Sequence, residues 1–168
     1  FEAAGVDPQK LERIKEIFDA DLPKPEANQV EFHPICARKE LTLYMNQNSI
    51  APIAYSSLAP LSTWRVEEGQ GGEVLAEIKG ECQQVTNEIA SKLGVSEAKL
   101  LLRWGMQHGY SVLTKSSKPE RIRDNLHVFD FDISDSDMER LNRLDQNRAI
   151  AWAANGLNPM EAAPPLKK

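Results

Sequence analysis

The run Ile50-Ala51-Pro52-Ile53-Ala54-Tyr55 is apolar from end to end and sits between two stretches of helical periodicity. A strand apolar on both faces belongs in a parallel sheet covered by helices, because a half-exposed antiparallel strand would alternate with polar residues. Pro52 is discordant, since proline suits strand ends, edges and bulges. The flanking pattern agrees with a parallel sheet. Asn28–Phe32 (NQVEF) reads as a short strand stopped by His33-Pro34, and Ser111–Thr114 (SVLT) reads as a third. Ala37, Leu41, Tyr44 and Met45 mark a helix over 37–48, and helical spacing resumes from Val74 to Leu93, closed by Gly94. Ser96 caps a helix carrying Ala98, Leu101, Leu102 and Gly105. Pro119 stands near another helix start, and Ser134 with Asp137 resembles a capping box opening a last helix with Met138, Leu141 and Leu144 inside. Upstream, Asp7-Pro8 opens a helix with Leu11, Ile14, Ile17 and Phe18 on one face. Strands that alternate with helices make right-handed βαβ units, so the chain is α/β with a parallel sheet. Only about three strands are visible. Three parallel strands leave sheet edge and apolar surface for something else to cover.

Composition narrows the function classes. The 168 residues carry a net charge of −5, which argues against a nucleic-acid binder with its basic patch or stripe. No apolar run approaches the roughly 20 residues of a membrane span. Cys36 and Cys82 are too few for a disulfide scaffold, which suits a cytoplasmic or other reduced compartment. Phe1 is not followed by a signal-peptide pattern, and any targeting segment is expected to precede it.

Val112–Asn125 (VLTKSSKPERIRDN) is the stretch richest in chemistry. A strand delivers Lys115 to its C-terminal end, Ser116 and Ser117 follow, and a helix start comes next with Arg121 and Asn125 four apart on one face. A helix N-terminus between a lysine and a guanidinium fork suits a phosphate group. The same residues also suit a solvated loop with ordinary helix-end charges. Tyr55, at the end of the apolar strand before Ser56 and Leu58, offers a ring to stack on a flat heterocycle, or is a core tyrosine at the sheet rim. Asn28-Gln29 reads as a buried amide pair that bonds a carboxamide, or that satisfies backbone groups. His33, His108 and His127 lack metal-ligand spacing, and there is no GxGxxG or Walker sequence. Glu67, Glu68 and Glu73 read as solvated charge in a long loop over 56–72.

Taken together, NQVEFHP at 28–34, IAPIAYSSLAPL at 50–61, GVSEAKLLLRW at 94–104, SVLTKSSKPERIRDN at 111–125 and VFDFDISDSDMERL at 128–141 resemble the C-terminal half of an aldo-keto reductase. The resemblance implies a (β/α)8 TIM barrel, which takes about 250 residues as a rule, so these residues would be its C-terminal half over 1–148. An irregular tail would follow over 149–168. It implies NADPH as cofactor: Gln29 contacting the nicotinamide carboxamide, Tyr55 stacking on the nicotinamide ring, and Ser56 and Leu58 lining the pyrophosphate. Lys115, Ser116 and Arg121 would bind the adenosine 2′-phosphate, with Asn125 near the adenine.

The sequence departs from the family pattern at Ser57, where proline is usual, at Lys118, where a small or polar residue is usual, and at Asp124, where Glu or Gln often bonds the adenine. The family's catalytic Asp, Tyr, Lys and His lie on the first four strands, whose sequence is absent here. The resemblance therefore implies NADPH-dependent reduction of an aldehyde or ketone to an alcohol by the whole protein. This chain would hold the cofactor but not the catalytic tetrad. The expected partners are a small carbonyl substrate and a protein, or the missing N-terminal half, covering the open barrel. A second function class is a non-catalytic, reductase-derived structural or assembly subunit of a larger complex, since fold alone does not fix function.

Overall fold

In the computed structural model, residues 25–63, 66 and 72–151 are described. The helix expected after Asp7, part of the long loop and most of the expected tail lie outside the described residues. Element order is β1 (Ala27–Glu31), α1 (Lys39–Gln47), β2 (Ala51–Tyr55), a 3-10 turn (Ala59–Leu61), α2 (Gly72–Leu93), α3 (Glu97–Gln107), β3 (Ser111–Val112), α4 (Pro119–Leu126), a second 3-10 turn (His127–Phe129) and α5 (Asp135–Asn142). The three strands form one parallel sheet in the order β1-β2-β3, with helices covering it.

Pro52 lies in the central strand without breaking it, and the ladder explains why. The Ala51 N–H donates to the Glu26 carbonyl on the β1 side (2.8 Å). Alternation then turns the missing N–H of Pro52 toward β3, which pairs with β2 only at Ile53 and Ala54. No ladder bond is lost. The third strand is shorter than SVLT suggests, although the Leu113 N–H still reaches the Ala54 carbonyl (3.0 Å).

The register Ala27↔Ala51 through Glu31↔Tyr55 decides which residues share a face. Val30, Ala54 and Val112 pack into the core beneath the helices. Gln29, Glu31, Ile53, Tyr55 and Ser111 occupy the other face. Just past β1, Phe32 stacks on both Trp104 and Tyr110, with ring centroids 4.7 and 3.7 Å apart. The indole Nε1–H donates to Asn142 Oδ1 (2.8 Å), and the Tyr110 hydroxyl meets Thr42 Oγ1 (2.5 Å). One aromatic stack thus ties α1, α3, α5 and the end of β1 together.

Helix ends follow the sequence signals with one change. The Ser96 hydroxyl accepts from the Lys99 N–H (3.3 Å), and Gly94 takes a left-handed φ of 68°. The Ser134 hydroxyl accepts from the Asp137 N–H (3.3 Å) as an N-cap should. The Asp137 carboxylate does not complete the box. It accepts instead from the Ser134 hydroxyl (2.9 Å) and from Lys92 on α2 (2.7 Å).

Gly105 on α3 is a close-approach glycine: a Cβ there would sit 2.9 Å from Val112 Cγ1. Gly105→Ala is therefore expected to destabilise by about 1–2 kcal/mol, overpacking outweighing the better helix propensity of alanine. In urea melts, adding Val112→Ala should make the Gly105 substitution neutral or favourable. A Gly105→Ala chain as stable as wild type would contradict this packing.

Candidate functional site

Parallel strands bring their C-terminal ends to one edge of the sheet, where ligands of open and closed α/β folds bind. That edge carries Glu31, Tyr55 and the segment leaving β3 toward Lys115. Gln29 lies one alternation below Glu31 on the same face as Tyr55. Asn28 is half-buried and Gln29 exposed, so the amide pair is not buried as the sequence suggested. Tyr55 is half-buried at the rim. Ser56 follows with a positive φ of 55°, a conformation that costs energy in a serine and turns the chain sharply off the strand. Leu58 is half-buried at the start of the first 3-10 turn, and the buried Ser57 hydroxyl has no hydrogen-bond partner among the described residues.

The β3–α4 segment is short and preformed. The Lys118 N–H donates to the Ser116 hydroxyl (3.1 Å), and Pro119 sets the first helical position. The backbone offers less to an anion than the sequence suggested. Pro119 has no N–H, and that of Arg121 is taken by the Lys118 carbonyl (3.1 Å). Charge there comes from side chains: Lys115, Lys118 and Arg121 are exposed and have no ion pair among the described residues. Asn125 is half-buried one turn after Arg121. Asp124 turns away, pairing with Lys99 (3.2 Å) and accepting from the Ser96 hydroxyl (3.3 Å).

Glu31 is the feature that sequence spacing missed. It is 2% exposed, and its Oε1 accepts from His33 Nε2 (3.0 Å) and from the Ile150 (2.6 Å) and Ala151 (2.8 Å) N–H groups. Burial would raise its pKa, but the bonds from His33 and the two amides together hold it below the usual carboxylate value. Burial pushes His33 below its usual value against the pull of Glu31. The pair is thus carboxylate and neutral imidazole. Lys79 on α2 is also buried, its Nζ donating to the Ser62 hydroxyl (3.2 Å). Cys36 and Cys82 are buried free thiols pushed up to about 12 and about 11, and are inert at neutral pH. Among the described residues there is no cluster of three metal-ligating side chains and no helix long and apolar enough to cross a membrane.

Residues 2–146 match the profile described as the Aldo/keto reductase family. The chain belongs to that family. Among its relatives are a glyoxal reductase of Bacillus subtilis, 34% identical over 160 residues that cover 95% of this chain and 50% of the relative. An NADPH-dependent D-xylose reductase of Meyerozyma guilliermondii is 34% identical over 132 residues, covering 79% of this chain and 41% of the relative. A solved aldo/keto reductase structure from Brucella melitensis superposes with TM-score 0.61 at 30% identity, covering 83% of this chain and 46% of that one. This aldo/keto reductase chain spans about half the length of the curated relatives it matches. Its three-stranded parallel sheet with covering helices is consistent with part of a TIM barrel.

Proposed function

We propose that the protein containing this chain reduces a small aldehyde or ketone to an alcohol with NADPH, and that this chain holds the cofactor. The observation that carries the proposal is the β3–α4 segment, where three exposed, unpaired cations surround a serine-bearing turn at the strand-end edge. That donor set fits a dianionic phosphate: a guanidinium fork and an ammonium bind it by charge, and among the described residues no carboxylate pairs with them. Lys115, Ser116 and Arg121 hold the 2′-phosphate, which favours NADPH over NADH, and Asn125 lies near the adenine. Ser56 and Leu58 line the pyrophosphate. Tyr55 stacks against the nicotinamide and Gln29 bonds its carboxamide. The bound dihydronicotinamide supplies the hydride that the carbonyl carbon accepts. The proton for the oxygen comes from a tyrosine outside this chain, because Tyr55 stands in the stacking motif and not in the position of an acid.

Exposed apolar surface supports a covering partner as well. Leu113, Ile122, Leu126 and Phe129 are 50–71% exposed, and β3 has no second neighbour among the described residues. Strands completing the barrel would cover them. The exposed apolar surface also favours the second reading, an assembly subunit without activity.

Turnover separates the two readings. Full-length protein mixed with NADPH and small aldehydes is expected to consume the cofactor and yield the alcohol. The 168 residues alone are expected to be inactive. A full-length protein that binds NADPH but reduces no carbonyl would overturn the enzyme reading.

A further inference from the structure

The backbone from Asp145 to Ala151 runs as a strap along the loop that follows β1. The Ala37 N–H donates to Asp145 Oδ1 (3.0 Å), the Ile35 carbonyl accepts from the Gln146 and Arg148 N–H groups (3.1 Å each), and Lys39 pairs with Asp145 (3.2 Å). At its far end the strap meets Glu31, whose Oε1 accepts from the Ile150 N–H, the Ala151 N–H and His33 Nε2–H. Two backbone donors on one buried oxygen favour a carboxylate there, and with Glu31 ionised the His33 proton sits on Nε2. The other ring nitrogen, Nδ1, is buried and has no partner among the described residues.

A second proton on His33 would have to sit on Nδ1, where no acceptor meets it. The charged groups acting on the ring are Glu31 from β1, Arg38 ahead of α1 and Lys79 from α2. Glu31 attracts an imidazolium, whereas Arg38, Lys79 and burial of the 0%-exposed ring oppose it. The closed arrangement therefore disfavours protonated His33, and lifting residues 150–151 would open to water the Glu31 oxygen that His33 bonds, easing protonation of the ring.

We propose that Glu31 and His33 form an acid-labile clasp, which holds residues 150–151 against the end of β1 and releases them when His33 takes up a proton. The sign follows from linkage. A histidine whose folded pKa lies below its ordinary value of 6.5 stabilises the closed form fully above that value, and its contribution is lost as pH falls. Glu31, lowered from 4.5, keeps its charge through the same window. Because Glu31 pairs in register with Tyr55, release occurs at the rim of the candidate cofactor site.

Amide hydrogen exchange on the full-length protein tests the clasp, with protection factors corrected for intrinsic rates. Between about pH 7.5 and about pH 5.5, protection of the Ile150 and Ala151 amides should fall measurably, by at most about tenfold, the limit set by one proton whose ordinary value is 6.5. Amides of α3, such as Leu101 and Leu102, should keep theirs. His33→Gln keeps a side-chain N–H donor but cannot charge, so its strap protection should be flat across the range. The clasp is wrong if wild-type strap protection is unchanged, if it falls in step with the α3 amides, or if His33→Gln loses as much as wild type. The wild-type comparison stands even if that variant folds poorly.

Discussion

Phe32→Ala is expected to cost about 3–5 kcal/mol of folding stability, the range for deleting a large buried aromatic. Phe32 is 1% exposed, and its ring carries both the Trp104 and the Tyr110 stacks. Neither partner can collapse into the gap without giving up a bond, because Trp104 is held by Asn142 and Tyr110 by Thr42. Phe32→Leu separates volume from ring geometry. It keeps most of the apolar bulk and loses the two stacked pairs along with an edge contact to His108, so about 1–3 kcal/mol is expected from about 0.5–1.5 per stacked pair. Urea melts followed by tryptophan fluorescence read both values. A Phe32→Ala cost below about 1 kcal/mol, the typical effect of any single substitution, would mean the stack does not anchor β1.

Replacing both Lys115 and Arg121 by methionine should lower NADPH affinity by a hundredfold or more and leave NADH affinity nearly unchanged. Each charge-assisted bond to a phosphate contributes about 1.5–3 kcal/mol, which is roughly tenfold to more than a hundredfold per residue. Both side chains are exposed and touch no acidic partner among the described residues, so the substitutions should leave the fold intact. Fluorescence titration of the full-length protein with each cofactor measures the ratio. Equal weakening toward both would relocate these cations to the shared pyrophosphate, and no weakening would remove them from the site.

Local periodicity carried most of the fold. The apolar run at 50–55 named a covered parallel strand, and the order of helices around it was enough for βαβ units. Pro52 looked like an objection only because ladder direction, which turns its missing N–H away from β1, is invisible in one dimension. The third strand is shorter than its sequence suggests for a related reason: Leu113 and Thr114 have strand chemistry but, among the described residues, no paired neighbour beyond Ala54. The cations proposed to hold a phosphate are legible as charge at a strand-to-helix junction. What the sequence overstated was its backbone, since donors at a helix start are counted only once their acceptors are known. Glu31 shows the firmer limit. Alternation marks it as facing away from Val30 and Phe32, yet its amide partners lie 119 and 120 residues later in the chain. Backbone N–H groups carry no residue signature, so no spacing announces them. The cofactor roles proposed for Gln29, Tyr55, Ser56, Leu58 and Asn125 rest on the family resemblance, since side-chain chemistry alone leaves them open.

Lys115, Ser116 and Arg121 are proposed to read a 2′-phosphate, and the adenosine end of the cofactor isolates that recognition. Adenosine 2′,5′-bisphosphate carries both phosphates of that end without the nicotinamide, and adenosine 5′-monophosphate lacks the 2′ group. Calorimetric titration of the full-length protein should show the bisphosphate binding at least about tenfold more tightly, the contribution of a single charge-assisted contact. Arg121→Met should erase most of that difference. Equal affinity for the two nucleotides in the wild-type protein would contradict the cofactor-holding role assigned to Lys115, Ser116 and Arg121.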